Sequence, residues 1–256
     1  MADIADADPV VVDSRPAMAR RADKVSEVVA RAIVHDIVSR GLEPGATLPS
    51  EAVMLARFQV GRASLREALR ILEVHGLITI KPGPGGGPVV STPTSGNFGR
   101  IATLFFQLGG ATFRELVEAR GVLEPIMARL AAERQEPKTL ADLRDNVEHG
   151  KREKGADRHA SVGTHFHGLM AGASGNRVLD LMSSAIRDVF YERVTSSLWP
   201  QDERPRIHLE HDAIVKAIER GDAKGAERLM RRHMDEMVER CEERLPGLLD
   251  EIVDWR

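Results

Sequence analysis

The chain has 256 residues, 42% of them hydrophobic and 29% charged, which is enough for a buried core and more typical of two domains than of one. Its net charge of −3 excludes a uniformly basic nucleic-acid coat protein, and its single cysteine, Cys241, excludes an intramolecular disulfide framework. Aromatic residues make up only 4% of the chain, which favours helices packed on helices over a large sheet. We therefore predict a mainly α fold.

The first residues carry no sign of a targeting or membrane segment. The opening MADIADADPVVV is acidic where a signal peptide is basic, and no apolar run approaches the ~20 residues that span a bilayer. Residues 1–21 show no sustained hydrophobic period and contain Pro9 and Pro16, which is typical of a disordered arm. We expect a cytoplasmic protein with no membrane contact.

Residues 22–92 are predicted to form one small domain that opens with three helices. Their one-sided apolar stripes, together with a cap at Ser50, predict helices over residues 25–41, 51–58 and 62–75. Two β-branched runs follow, LITIK at 77–81 and PVVST at 88–92, separated by the glycine-rich PGPGGGP. This pattern predicts a small β-hairpin, and the composition of residues 93–99 predicts a linker after it.

Basic side chains mark one face of the third helix. Arg62, Arg66 and Arg70 repeat every four residues away from the apolar stripe, and Ser64 lies close by. Three helices followed by a glycine-tipped hairpin form a winged helix-turn-helix, whose third helix enters the DNA major groove while the wing follows the backbone. The alternative is a solvated face on which the arginines pair with acidic residues of the same helix, Glu67 and Glu73.

The run GLEPGATLPSEAVMLARFQVGRASLREALRILEVHGLITIKPGPGGGPVV resembles the DNA-binding domain of GntR-type transcription regulators, through its PG, LPSE and R-x-x-L-R-E-A-L motifs and its glycine wing. The resemblance covers about residues 24–91. Together with the basic face, it implies DNA contacts by Arg62, Ser64, Arg66, Arg70, Lys81 and Gly83. Two positions depart from the family: Gly61, where Ser usually precedes the first recognition arginine, and Ala52, where some members carry an arginine.

From Arg100 to Leu245 the hydrophobic pattern is helical throughout and has no internal repeat. Glycine- and proline-containing breaks fall near residues 109–110, 136–137, 155, 174–175, 199–200 and 221–222. We predict an all-helical bundle of six or seven helices at residues 100–245, followed by a C-terminal tail at 246–256.

Three histidines in this half lie on apolar stripes: His167, His211 and His233. His211 is ten residues before Gly221 and His233 is eleven after Asp222, so an antiparallel helix pair brings them to one level. Neutral imidazoles that converge inside a helical bundle bind zinc or a similar divalent ion. The alternative is a set of core histidines that only pack.

The runs FHGLMAGASGN, LEHDAIVKAIERGD and MRRHMDEM resemble the helical effector-binding domain of the FadR group of GntR regulators. This resemblance covers roughly residues 100–245 and implies a divalent metal, zinc or nickel, held by an Asp and the three histidines. The Asp position, four residues before His167, is Gly163 in this chain. Neither His159 nor His165 is an obvious substitute, because His165 faces away on a helix and His159 is two turns from His167.

Arg120 interrupts the apolar stripe of a long helix in VEARGVLEPIMARLAAE, with Glu124 one turn later. A buried arginine is costly unless it meets an anion, so it contacts either a carboxylate effector or Glu124. We expect Arg120 and Asn176 to bind a small organic acid or similar anion.

The sequence therefore predicts a homodimeric transcription regulator that binds a short pseudo-palindromic operator in double-stranded DNA and responds to an anionic metabolite. Two rival hypotheses remain open. One is a metal-dependent hydrolase built on the three histidines, against which no carboxylate is evident beside His167 to act as a general base. The other is an adaptor with a histidine pocket that binds no metal.

Overall fold

The computed structural model of this chain describes residues 24–83, 85–92, 95–152, 156–193 and 204–254. The predicted N-terminal arm, residues 1–21, lies outside the described residues, as does the side chain of His159. The chain divides into two compact units, residues 1–97 and 98–256. Within the described ranges, no helix is long and apolar enough to cross a bilayer.

The first unit consists of three helices and a two-stranded sheet, as the sequence predicted. The elements are α1 (Val25–Ser39), α2 (Glu51–Phe58), α3 (Arg62–Val74), β1 (Ile78–Lys81) and β2 (Gly87–Val90). Ser50 caps α2 by accepting a hydrogen bond from the amide of Val53, and Gly61 caps α3 without a side-chain bond. The inward stripe of α3 is buried as expected: Leu65, Ala68, Leu69 and Leu72.

The two strands pair antiparallel, with Ile78 opposite Val90 and Lys81 opposite Gly87. The turn between them depends on glycine. A Cβ atom added at Gly86 would lie 2.3 Å from the carbonyl oxygen of Lys81, and Gly83 has a φ of 96°, in the left-handed region. The hairpin therefore closes tightly at its glycine tip, which confirms the predicted wing.

The second unit is an all-helical bundle. Its helices are α4 (Ser95–Gly109), α5 (Phe113–Arg134), α6 (Pro137–Arg152), α7 (Ala156–Ala173), α8 (Arg177–Arg193), α9 (Arg204–Glu219), α10 (Ala223–Arg244) and α11 (Pro246–Leu249). The predicted breaks near residues 109–110, 136–137, 174–175 and 221–222 fall between these helices, whereas those near 155 and 199–200 lie outside the described residues. A capping box of Thr112 and Glu115 starts α5, which packs against α7, α8, α9 and α10 and so forms the centre of the core.

Two sequence predictions need correction here. Residues 95–99, predicted as linker, form the first turns of α4, because Gly99 is buried against Ala185 and the Thr103 hydroxyl donates to the Gly99 carbonyl. The predicted tail is docked as well, at least as far as residue 254. Leu249 and Val253 are buried, and the amide of Val253 donates to the carbonyl of Ala111. Short apolar segments without a helical period find their partners only in the folded bundle.

Candidate functional site

The predicted DNA-binding residues lie on an exposed surface of the first unit. Arg62, Arg66 and Arg70 are exposed on α3, Ser64 is partly exposed, and Lys81 and Gly83 are exposed at the hairpin. Arg66 and Arg70 line a groove that is closed on its other side by Gly86 and Gly87 of the wing. The fold thus brings the arginine face and the glycine tip to one groove, and Arg62 stands at the N-terminal end of the same helix.

Arg66 has a partner that the sequence did not indicate. Its guanidinium forms a two-pronged ion pair with Glu51 at the start of α2, with Nε 3.3 Å and Nη2 3.5 Å from the carboxylate oxygens. Both side chains are largely exposed, so this pair contributes little to stability. The acidic partners considered from the sequence were Glu67 and Glu73, but Glu73 instead accepts a hydrogen bond from the amide of Ile80.

The three predicted histidines converge inside the second unit. His167 on α7, His211 on α9 and His233 on α10 are all buried. Nε2 of His233 lies 3.2 Å from Nε2 of His211 and 3.5 Å from Nε2 of His167, and one ligand atom from each ring fits within a 4.8 Å cluster. Helix periodicity therefore placed these side chains correctly, because each lies on the buried stripe of its own helix.

Two of the rings are held from behind by carboxylates. Nδ1 of His167 hydrogen-bonds to Glu124 on α5, and Nδ1 of His233 lies 2.7 Å from a carboxylate oxygen of Glu210 on α9. An ionised carboxylate only accepts, so each Nδ1 carries the proton and each Nε2 presents a lone pair. A carboxylate behind a histidine is the usual outer support of a metal-binding imidazole.

The charge states fit this arrangement. Burial lowers the pKa of His167 to about 4, so its ring is neutral near pH 7. Burial alone would raise the pKa of Glu124, but the positive charge of Arg120 and the hydrogen bond with His167 outweigh it and bring that pKa to about 2. The sequence interpretation that no carboxylate stands beside His167 is therefore wrong: Glu124 lies 43 residues away in the chain and is brought there by packing of α5 on α7.

Arg120 pairs with Glu124, which was one of its two predicted partners. Nε of Arg120 lies 2.7 Å from Glu124 Oε1, and both side chains are buried. The guanidinium also lies over the rings of Phe190 and Tyr191, at 5.3 and 5.5 Å from their centroids. Burial disfavours the charge, but Glu124 outweighs it and the pKa of Arg120 is raised. Nη2 has no hydrogen-bond partner among the residues that the structure describes.

The other expected effector residue, Asn176, caps a helix. Its side-chain oxygen accepts hydrogen bonds from the amides of Val178 and Leu179 at the start of α8, and the residue is exposed.

Gly163 lies one turn before His167 on α7, and a Cβ atom added there would meet nothing within 4 Å. Sequence reasoning missed the two carboxylates that hydrogen-bond to the histidines, Glu124 and Glu210. A signal for Glu124 existed in its position on a buried stripe, whereas Glu210 offered none.

Comparison with known proteins agrees with both halves of the chain. Residues 25–86 match the model of bacterial regulatory proteins of the gntR family, and residues 115–236 match the FCD domain. The HTH-type transcriptional repressor NanR of Escherichia coli K12 is 31% identical over 233 residues, covering 87% of this chain and 85% of its own. The HTH-type transcriptional regulator LutR of Bacillus subtilis is 28% identical over 218 residues, covering 83% and 97%.

A solved structure shows the same architecture. The Streptococcus agalactiae GntR structure superposes with a TM-score of 0.71 at 25% identity, covering 84% of this chain and 99% of its own. Its agreement extends over both the winged helix and the helical bundle, and the relatives by sequence are DNA-binding regulators rather than enzymes. The chain therefore belongs to the GntR family of bacterial transcription regulators, with an N-terminal winged helix and a C-terminal FCD domain.

Proposed function

We propose that this regulator binds its operator as a homodimer and that a small organic acid or similar anion, beside a divalent metal in the FCD domain, controls its affinity for DNA. A short pseudo-palindrome fits a two-fold dimer. The observation that carries the proposal is the convergence of the Nε2 atoms of His167, His211 and His233 in a buried site. We place the chain in the FadR group on this basis and, because its target is DNA, in the cytoplasm.

The donor set fits zinc or nickel. Nitrogen atoms bound to one tetrahedral zinc ion at ~2.0–2.1 Å stand ~3.3 Å apart, and two of the three separations between the histidines, His233 to His211 and His233 to His167, are 3.2 and 3.5 Å. His167 and His233 present lone pairs to each other, because both Nδ1 protons are committed to carboxylates. Apposed lone pairs inside a core repel unless a cation lies between them. Such an ion would supply an electrophilic centre for an anionic ligand.

The effector side of the proposal rests on Arg120. Its positive charge is buried, one of its nitrogen atoms has no partner among the described residues, and its carboxylate partner Glu124 also supports His167. An anion that engages this guanidinium therefore acts on a group connected to the metal site. Asn176, which caps the start of α8 in the same domain, is proposed as a second and weaker contact to the anion.

The properties of Glu124, the carboxylate that sequence reasoning did not find beside His167, disfavour the hydrolase alternative. Beside His167 the candidate for a general base is Glu124, but a pKa of about 2 makes it a weak one near neutral pH. Its oxygen atoms are also occupied by Arg120 and His167.

The metal is tested by titrating chelator-stripped protein with Zn²⁺ or Ni²⁺ and measuring binding by calorimetry. Wild type should bind the ion and His211→Ala should lose the site. His165→Ala is the matched control, because His165 is exposed on the same helix as His167. If wild type binds no metal, with or without organic acids, the three histidines form a polar pocket only.

The effector is tested by fluorescence anisotropy with DNA from upstream of the protein's own gene, using zinc-loaded protein and a panel of mono-, di- and tricarboxylic acids. At least one acid should shift the affinity for this DNA, since coupling requires unequal binding to two states of the dimer. A metal-binding protein whose DNA affinity no acid changes would contradict the anionic-effector proposal.

A further inference from the structure

The hydroxyl of Tyr191 on α8 is a buried hydrogen-bond donor close to Arg120. Tyr191 is the sole tyrosine of the chain. Its hydroxyl oxygen is buried and meets hydrogen-bond geometry with no group among the residues that the structure describes. Burial raises the pKa of Tyr191, although the nearby charge of Arg120 opposes the rise, so the hydroxyl is protonated near pH 7 and can donate.

The guanidinium of Arg120 also has donor capacity left. Its Nε atom donates to Glu124, but Nη1 has only the thioether sulphur of Met237 at 3.5 Å, and Nη2 has no partner among the described residues. A thioether is a weak acceptor. Buried donors are almost always satisfied, so unpartnered donors on two neighbouring side chains indicate an acceptor that comes from outside the chain.

Arg120 and Tyr191 are close enough to serve the same acceptor. The guanidinium carbon of Arg120 lies 5.5 Å from the centre of the Tyr191 ring. Arginine only donates, whereas an ionised carboxylate only accepts, and its two oxygen atoms offer about four lone-pair sites. One carboxylate can therefore accept from Nη2 of Arg120 and from the Tyr191 hydroxyl at the same time.

Helix α7 leaves space near these donors. Thr164 on this helix lies beside the Tyr191 hydroxyl. A Cβ atom added at the preceding residue, Gly163, would meet nothing within 4 Å. The chain thus leaves room next to the residue that faces the hydroxyl.

The other groups around the guanidinium are apolar. It lies 5.3 Å from the ring centre of the fully buried Phe190, and the Tyr191 ring and Met237 also adjoin it. Arg240, the other buried arginine described in this unit, is 4.0 Å from a carboxylate oxygen of Glu210 and so has an anionic neighbour already. A second carboxylate on the ligand would meet aromatic rings and a thioether without a cation, which is costly.

We propose that Arg120 and Tyr191 together bind the carboxylate of a monocarboxylic acid with an apolar body, and that the Tyr191 hydroxyl determines this specificity. The two unpartnered buried donors, set among aromatic and thioether side chains, support the proposal. The inference rests on the anionic effector of the proposed function and deepens it by naming the chemical class of that anion.

Fluorine NMR of the full chain tests the site, because labelling with 3-fluorotyrosine gives a single resonance from the sole tyrosine. Butanoate and succinate form a matched pair of ligands, since they have equal numbers of carbon atoms but differ in their number of carboxylates. Butanoate should shift the resonance saturably and bind about tenfold or more tightly than succinate. The absence of a shift with butanoate, hexanoate and phenylacetate, or succinate binding as tightly as butanoate, would overturn the proposal.

Tyr191→Phe removes the hydroxyl and keeps the ring. Calorimetry should show an affinity for butanoate that is about tenfold lower or less, because a hydrogen bond to a charged group is lost. Since no described residue partners the hydroxyl, the urea midpoint of the variant should equal or exceed that of wild type. A lower midpoint with unchanged butanoate affinity would assign the hydroxyl a structural role and overturn the proposal.

Ser184→Ala is the matched control for the loss of a hydroxyl. Ser184 is buried on the same helix, two turns before Tyr191, and its hydroxyl donates to Asp180. This variant should keep the wild-type affinity for butanoate.

The outcome for Tyr191 can be separated from that for the effector. A resonance shift with butanoate, together with a DNA affinity that no acid changes, would support the binding site and contradict the anionic effector. An acid that changes DNA affinity equally in wild type and Tyr191→Phe would overturn the role of Tyr191 and leave the anionic effector standing.

Discussion

At the scale of single residues, the buried site is organised by Glu124, which accepts from Arg120 on its own helix and from His167 on α7. Removing either Arg120 or Glu124 leaves the opposite charge of the pair buried without its partner. An unpaired buried charge is far more costly than an exposed one. Arg120 is therefore a structural residue as well as the proposed effector contact, which affects how it must be tested.

We expect Arg120→Ala to lower the free energy of unfolding by about 3–5 kcal/mol, since it leaves the Glu124 carboxylate buried without its cation. Arg129→Ala is the matched control. Arg129 forms the same i,i+4 pair with Glu133 on the same helix, but both side chains are more than 40% exposed. Its loss should cost about 0.5 kcal/mol or less in urea unfolding. Equal costs for the two variants would mean that the Arg120 pair is not buried in solution.

Gly163→Asp restores a carboxylate at the position where the resemblance to the FadR group implies an Asp ligand. The Cβ position is open, so an aspartate fits there without displacing a neighbour, and it would lie one turn before His167 on the same helix. We expect zinc binding to tighten by about tenfold or more, because a carboxylate offsets part of the ion's charge. The variant should also respond less to the effector, whose carboxylate loses its place at the ion. Calorimetric titration of stripped protein measures the first effect and DNA anisotropy the second.

At the scale of elements, α3 and the wing form the surface that is proposed to read DNA. The apolar stripe of α3 fixes which side faces the core, so its arginines must face outward, and the glycine tip of the hairpin faces the same groove. The ion pair of Arg66 with Glu51 holds one guanidinium in this groove. Because that pair is exposed, Arg66 can exchange Glu51 for a base edge or a phosphate at little cost.

Arg62→Ala and Arg66→Ala should each weaken specific operator binding by about 1–3 kcal/mol, or about 5- to 150-fold, if the lost contact is bidentate to guanine. Arg40→Ala removes the same charge from an exposed position at the end of α1 and should have a much smaller effect. Anisotropy at fixed salt measures all three. Operator affinity that is unchanged in both α3 variants would exclude the proposed docking of this helix.

At the scale of the whole molecule, the stability of the protein should depend on pH through the buried His167. The pKa of His167 is lowered to about 4 in the folded chain, against an ordinary value of 6.5. Between these values the unfolded chain binds the proton and the folded chain does not, so the stabilisation is complete above about pH 6.5 and is lost as the pH falls towards 4.

In metal-stripped protein we therefore expect the free energy of unfolding to fall by a few kcal/mol, of the order of 3, between pH 6.5 and 4. His167→Gln should flatten this dependence, whereas His165→Gln, at an exposed position of the same helix, should retain it. Urea unfolding at a series of pH values measures the slope. A slope that is the same in wild type and His167→Gln would show that other groups cause the acid sensitivity.

The sequence by itself determined the winged helix, the helical bundle with its breaks, and the burial of the three histidines. These features depend on local patterns: the period of apolar residues, the glycines of the wing and the caps of the helices. Local pattern also allowed the pair of Arg120 with Glu124, since four residues separate them on one helix.

Only the tertiary structure decided which groups stand behind the histidines, which carboxylate meets Arg66, and how residues 246–254 dock. The contact of Glu124 with His167 joins residues 43 apart, and that of Glu51 with Arg66 joins residues 15 apart on different helices. Such contacts depend on how helices cross and rotate about their axes, which is set by packing of the whole core. No spacing along the chain encodes these contacts. The carboxylates that contact the histidines and Arg66 could therefore be identified only in the folded molecule.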